Sequence, residues 1–324
     1  MLPISRIDIK NFKSLRNVTI DNCKTFNLLI GRPNVGKSNI IEALSFFAAP
    51  YLVQQKIPFS DFLRVKQTPA LFFNGDISNP IDVQVGEQNL HIAAKSVTEL
   101  SVSVKIDGKT TSFESVDLKV KKSPDYYPII KPYKYTDAFQ QLPKVNVPFL
   151  CPIYGSNMMQ IVQQNKLIKD YFVSLLKEYN LQLTFDMAQQ ELRILKPLSD
   201  TSSFILPYSA LADTIKRLMF YKAAVESNTD SIVLFEELEA HAFPPFISMI
   251  TRSIIDRPEN QYFITTHSPY VVNDFLEYTR TDVAIHLVDF RDGETYVKTL
   301  SQDEIQEVYN YGVDLFFNAE SFLR

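Results

Sequence analysis

Alternating apolar and polar residues mark the start of the chain: Ile4, Ile7 and Ile9, then Val18 and Ile20, lie on either side of the polar bend Asn11-Phe12-Lys13-Ser14. A period of two predicts two half-buried strands. The run Phe26-Asn27-Leu28-Leu29-Ile30 does not alternate and predicts a strand buried on both faces. From Lys37 to about Phe47 the spacing turns helical through Ile40, Ile41, Leu44 and Phe47, with Pro50 as the expected stop. Short β-type runs follow at Leu71 to Phe73, Asp82 to Val85, Leu100 to Ile106 and Val116 to Val120, with Asp107-Gly108 as a hairpin turn; they predict an antiparallel meander. Pro124, Pro128, Pro132, Pro143, Pro148 and Pro152 then mark an irregular crossing. Helical spacing returns over 160–179, residues 180–195 read as a strand pair, and a helix is expected over 210–225. Two further buried strands are expected at Ser231 to Phe235 and Gln261 to Thr266, with a helix from Phe246 to Ile255 between them. A hairpin around Arg291-Asp292-Gly293-Glu294 and a helix from Asp303 to Tyr311 end the pattern.

Composition narrows this picture only a little. With 324 residues and 45% hydrophobic content the chain can bury one large core or two modest ones. Cys23 and Cys151 lie far apart, which suggests two small buried thiols rather than a disulfide framework or a zinc site. The opening residues lack the basic and apolar regions of a signal peptide, and no stretch nears the ~20 apolar residues of a membrane span, so a cytoplasmic protein without a membrane partner is expected. The formal charge of -4 gives no general attraction to nucleic acid. A modest basic segment, Lys119, Lys121, Lys122, Lys131 and Lys134 beside Tyr126, Tyr127, Tyr133 and Tyr135, could touch phosphates or bases, though a solvated edge is the plainer reading.

Three short segments carry chemistry. Gly31-Arg32-Pro33-Asn34-Val35-Gly36-Lys37-Ser38 satisfies G-x-x-x-x-G-K-[ST] between an expected strand and an expected helix, with Asn39 next in line. Glycines let backbone N-H groups curl around phosphate oxygens, and the helix start adds partial positive charge. Lys37 would reach the terminal phosphates, and the Ser38 hydroxyl would help hold Mg²⁺. In the second segment a buried-type strand ends in Glu236-Glu237, one carboxylate to hold the metal and the other to orient water. The third is Thr265-Thr266-His267-Ser268-Pro269, where a histidine past a strand could reach a phosphate or the attacking water.

Together these segments resemble the ABC-type ATPase heads of the SMC, RecF and OLD-like group. The opening "ISRIDIKNFKSL", the loop "GRPNVGKSNIIEAL", the segment "LFEELEAHAFP" and "TTHSP" carry the resemblance, which covers roughly 1–50 and 205–320. It implies an α/β P-loop NTPase head with an antiparallel β-subdomain, a mostly parallel core sheet and a helical lobe. On that reading 1–324 is a single ATPase head: 1–50 holds the first strands and the Walker A loop, 51–205 a β-meander and helical-lobe insertion, and 206–324 the signature helix, Walker B, switch-histidine loop and final hairpin. The resemblance assigns Glu236 with Ser38 to the metal, Glu237 to catalysis and His267 to the switch position, with ATP and Mg²⁺ as cofactors. It also implies head-to-tail association of two subunits across ATP, as a homodimer or higher oligomer.

The sequence departs from the family pattern in places. Leu238 stands where proline is common, and Ala242 where a larger residue is usual. The signature helix has no glycine: "LPYSALADTIKRL" aligns either on Ser209 or on Thr214, and Asp213 would oppose a phosphate in either register. Gln67 and Gln84 both qualify as the glutamine that couples phosphate to the helical lobe. "NKLIKD" carries Ile168 where a guanine-reading element needs aspartate, which argues against guanine specificity. The stretch after His267 predicts one hairpin and one helix rather than a Toprim-type nuclease domain, so an effector such as a nuclease is expected on a separate chain. Two functional classes follow: a working ATPase that regulates or loads a partner, as in bacterial DNA maintenance or phage defence, and a slow or non-hydrolysing ATP sensor that holds an effector inactive.

Overall fold

The computed structural model describes residues 3–54, 57, 59–106, 108–120, 128–136 and 146–323. They form two compact units. The first comprises 1–132, 230–238 and 258–324, the second 133–229 and 239–257, so the chain leaves the first unit twice and returns twice.

The first unit contains two sheets. One is antiparallel, in the order β2-β1-β4-β5-β6-β7-β8, from β1 (Arg6–Phe12), β2 (Leu15–Asp21), β4 (Ile81–Val85), β5 (Gln88–Ala94), β6 (Glu99–Ile106), β7 (Lys109–Val116) and β8 (Lys119–Val120). Its alternation is the one expected of a sheet with one dry face: Ile7, Ile9, Val83, Leu90, Ile92, Val102 and Val104 are buried while their neighbours are not. β6 and β7 pair from Glu99↔Val116 to Ile106↔Lys109, which is the expected hairpin; Asp107 itself lies outside the described residues. The run expected from Val116 to Val120 is broken by Asp117 and Leu118, both at positive φ, into a tight turn before β8. Of Leu71 to Phe73, expected as a strand, Leu71 ends one short 3-10 turn and Phe73 begins another, with Phe72 between them making a single antiparallel bridge to Phe12; β5 was not singled out by the pattern.

The other sheet has the order β16-β15-β3-β14-β13-β9, from β3 (Phe26–Ile30), β9 (Ile130–Tyr133), β13 (Ile232–Glu236), β14 (Gln261–Thr265), β15 (Val283–Arg291) and β16 (Glu294–Thr299). β15, β3, β14 and β13 are parallel, and every residue of β3 and β14 is buried, as continuous apolar runs require. In the middle of this sheet Asn27 is satisfied by its own turn: its Oδ1 accepts from Lys24 N, and its Nδ2 donates to Lys24 O and Tyr262 O. Helices α1 (Lys37–Ser45), α2 (Ala49–Gln54), α3 (Phe59–Leu63), α8 (Pro269–Thr279), α9 (Gln302–Tyr311) and α10 (Leu315–Phe322) complete the unit. Pro50 does not stop the first helix as expected. It falls in the first turn of α2, where its missing N-H costs nothing. Helices α8 and α10 were not expected.

The second unit holds α4 (Met158–Gln164), α5 (Lys166–Lys177), α6 (Asp213–Glu226), α7 (Pro244–Ile255) and an antiparallel sheet β10-β11-β12 (Gln182–Asp186, Glu191–Ser199, Ser202–Pro207). The helix expected over 160–179 is two helices, because Asn165 adopts an extended conformation and its side chain accepts from Ile168 N to start α5. The expected strand pair is a three-stranded sheet, and the helix expected over 210–225 starts only at Asp213 after a 3-10 turn at Tyr208–Ala210.

Of the basic segment, Lys131 and Tyr133 are buried, Lys131 donating to Ser231 Oγ and Tyr133 to Leu150 O. Tyr135 lies under the Arg217 guanidinium. These three residues are therefore part of the packing, while Lys119 and Lys134 are exposed; Lys121, Lys122, Tyr126 and Tyr127, like Pro124 and Pro143, lie outside the described residues. Cys23 and Cys151 are free and buried. Among the described residues no helix is long and apolar enough to cross a membrane.

Candidate active site

The loop between β3 and α1 follows from two glycines that each meet a close neighbour. A Cβ at Gly31 would collide with the carbonyl oxygen of Val288 in β15, and one at Gly36 would run into the hydroxyls of Thr295 and Ser14. Gly36 also sits at φ 106°, a conformation that side chains rarely adopt, and Asn34 at φ 64°. The resulting curl ends in α1, whose first turn presents the N-H groups of Lys37, Ser38 and Asn39 at the positive end of the helix. Lys37 is 5% exposed, and its Nζ donates to Gly31 O and Arg32 O, both at 2.8 Å. The ammonium is thus held across the mouth of its own loop.

A cavity of about 430 Å³ opens here, lined by Ser14, Pro33, Asn34, Gly36, Lys37, Ser38, Asn39, Arg64, Glu237, His267 and Phe290. Three expected segments therefore converge: the loop, the second carboxylate and the histidine. Glu237 is exposed at φ 45°, and its N-H is fixed by Thr265, through the carbonyl at 3.0 Å and the hydroxyl at 3.1 Å. Past that kink the neighbouring carboxylates part, Glu237 lining the cavity and Glu236 pairing with Arg64. His267 Nε2 stands 3.7 Å from Glu237 Oε1. Burial and the nearby Lys37 ammonium lower the His267 pKa from its ordinary value, against the opposing pull of Glu237.

Glu236 pairs with Arg64. Arg64 also faces Glu42 of α1, with Nε 3.5 Å from Oε1, and Glu42 pairs in turn with Lys13 of the β1–β2 turn. Burial pushes the Glu42 carboxyl up, while Lys13 and then Arg64 pull it down. Alternating charges thus run Lys13, Glu42, Arg64, Glu236; Arg64 lines the cavity, whereas Glu236, unlike Glu237, does not. Sequence reading did not single out Arg64. The only available signal was a lone arginine after an apolar helix.

The remaining expected residues fall elsewhere. Val35 is buried, and Arg32 is exposed and pairs with Glu320 of α10. Gln67 and Gln84 are exposed and do not line the cavity; Gln84 donates to Gly86 O. Ser209 and Thr214 belong to the second unit, Ser209 exposed in the 3-10 turn and Thr214 donating to His241 O at 3.3 Å. Asp213 opens α6 and pairs with Arg217 and Lys216, which hold its carboxyl below the usual range against its desolvation. Among the described residues no group of three His, Cys, Asp or Glu side chains could bind a metal unaided. A hydroxyl at Ser38 and a carboxylate at Glu236 are hard oxygen donors, a set that suits Mg²⁺ when phosphates and water supply the other ligands.

Residues 3–223 match the model of the AAA ATPase domain. Over 380 aligned residues the chain is 23% identical to a protein of Helicobacter pylori named ATP/GTP phosphatase, covering 98% of each. Among solved structures it is similar to the SMC head bound to the C-winged helix domain of ScpA, with TM-score 0.55 and 16% identity over 94% of this chain and 99% of that one. It is also similar to an SMC head with an extended coiled coil bound to the C-terminal domain of ScpA derived from Pyrococcus furiosus, with TM-score 0.52 and 15% identity over 95% and 99%. At such identities the shared property is the fold, that of an SMC-type ATPase head.

Proposed function

The chain belongs to the AAA ATPase domain family, and from that premise we propose a Mg²⁺-dependent ATPase head whose nucleotide-dependent self-association regulates or loads a partner. One observation carries the reading: the phosphate-type loop, Glu237 and His267 line a single cavity. Lys37 exchanges its two carbonyl partners for the terminal phosphates, joined by the N-H groups of the first turn of α1. Ser38 and Glu236 would hold the metal, which when bound would neutralise phosphate charge. Arg64, now paired with Glu236, lines the same cavity, and its guanidinium is placed to face the phosphates. Glu237 takes up a proton from the attacking water, and His267, kept neutral by its surroundings, orients that water or the terminal phosphate.

The name of the Helicobacter pylori relative supports hydrolysis, and the SMC heads solved with ScpA domains support a protein partner for this head. DNA maintenance or phage defence is the setting that the family analogy suggests, with a nuclease as one kind of effector. A slow sensor is favoured by a different observation: Ala212 precedes α6 without a side-chain cap and Asp213 stands in its first turn, a poor anion site for a second subunit.

Glu237→Gln separates the two readings. A working ATPase predicts turnover lowered at least about a hundredfold with retained nucleotide, and, by light scattering, a mass that doubles with Mg·ATP and stays doubled. An unchanged low rate in Glu237→Gln, with the same mass with and without nucleotide, would favour the sensor.

A further inference from the structure

We infer that Thr295, on the far hairpin of the first unit, is a positioning residue for the phosphate loop. The inference rests on the reading of that loop as the ATP site. Thr295 is 4% exposed, and its hydroxyl lies 2.9 Å from Val35 O and 2.7 Å from Ser14 Oγ. Asn39 Nδ2 lies 2.7 Å from the same Ser14 Oγ.

Counting protons fixes the direction of every bond. A carbonyl only accepts, so the single Thr295 proton goes to Val35 O. Ser14 must then donate its proton to Thr295 and accept from the Asn39 amide. The result is one directed chain: Asn39 to Ser14 to Thr295 to the carbonyl of Val35. It starts on α1, passes through the β1–β2 turn and the β15–β16 hairpin, and ends on the residue before Gly36. Thr295 N also donates to Ser14 O at 2.9 Å, so the hairpin and the turn are locked at two points.

The chain bears on the one peptide whose shape decides the site. Gly36 stands at φ 106° with Ser14 Oγ and Thr295 Oγ1 where its Cβ would be, so the two hydroxyls fill the volume that the glycine leaves. With Val35 O held, the N-H groups of Gly36, Lys37 and Ser38 keep the orientation that phosphate oxygens need. Without the donor, a buried carbonyl loses its partner and the loop samples other turns. Nucleotide then binds only the fraction of molecules that hold the right one, and the apparent affinity falls by that fraction.

The test uses the full chain with Mg²⁺ and a non-hydrolysable ATP analogue for binding, and ATP for turnover. Thr295→Val keeps the shape and removes the proton. It should raise Kd and KM roughly tenfold while kcat stays within about twofold, because bound phosphates restore the loop. Thr295→Ser, which keeps the donor, should return both to within about twofold of wild type. Ser14→Ala interrupts the chain one step earlier and should raise Kd severalfold, which keeps the test open if the valine variant does not fold. Wild-type Kd in both Thr295→Val and Ser14→Ala would overturn the inference, as would a Thr295→Ser variant no better than valine. Lys37→Ala identifies the other failure: if it binds the analogue as well as wild type, or if wild type binds none, the ATP reading of the loop fails and the positioning role with it.

Discussion

At Arg64, where the backbone φ is 46°, the guanidinium pairs with Glu236, so the carboxylate proposed for the metal is already matched with a cation. Arg64→Ala removes that cation without touching the loop. Two effects compete: easier access of Mg²⁺ to Glu236, and loss of a cation facing the phosphates. On the proposed ATP reading, a charge-assisted hydrogen bond to phosphate outweighs the part-exposed ion pair with Glu236, so kcat/KM for ATP should fall about tenfold in steady-state assays. His267 makes a second prediction. Its charged form is disfavoured, so the neutral imidazole persists as pH falls past the usual histidine value of about 6.5 and is lost only below it. The acidic limb of kcat/KM, which reports the free enzyme, should lie below pH 6.5 and vanish from the profile of His267→Asn, whose residual rate has no such group. Much of this site could be read from the chain because its parts are local: Gly31 to Ser38 is one short segment, and Glu236-Glu237 and His267 each end a buried run. Arg64 and Thr295 could not, since Glu236 lies 172 positions from Arg64, and Val35 and Ser14 lie 260 or more from Thr295.

Among the elements, α9 shows how much of a boundary is chemistry in the sequence. Ser301 accepts from Glu304 N and Glu304 returns a bond to Ser301 N, while Gly312 closes the helix at φ 61°. Ser301→Ala should destabilise the protein by about 1 kcal/mol in denaturant unfolding and leave KM for ATP unchanged. The buried strands β3, β13 and β14 were legible as short apolar runs, whereas the equally buried β9 was hidden by Pro128 and Pro132 in the stretch expected as an irregular crossing. The failures have physical reasons too. Pro50 punctuates a helix start as well as a stop, Asn165 breaks what periodicity alone joins, and β12 carries Phe204 and Ile205 exposed, so no burial pattern announces it. Helix α6 gave its apolar spacing away, with Ile215, Leu218 and Val225 buried, but its start slipped by three residues because Tyr208–Ala210 forms a tighter turn.

For the molecule as a whole, one buried group gives stability a definite pH dependence. His286 is fully buried in β15, with Nδ1 2.9 Å from Thr299 Oγ1 and Nε2 3.3 Å from Asn27 Oδ1, and burial lowers its pKa to about 3. The unfolded chain takes up this proton near pH 6.5 and the native state does not, so the contribution is whole above that value and declines as pH falls. Between pH 6.5 and 5 the loss is about 2 kcal/mol. Urea midpoints at pH 7 and pH 5 should differ less in His286→Gln, which has nothing to protonate, than in wild type. The same strand passes Gly31 so closely that the Val288 carbonyl takes the place of a Cβ. Loop and strand therefore share one wall. Anything that tugs on the β15–β16 hairpin, an antibody or a tether in a pulling experiment, should be felt as a change in nucleotide residence time, because the grip on phosphate and the strand behind it yield as a single mechanical part.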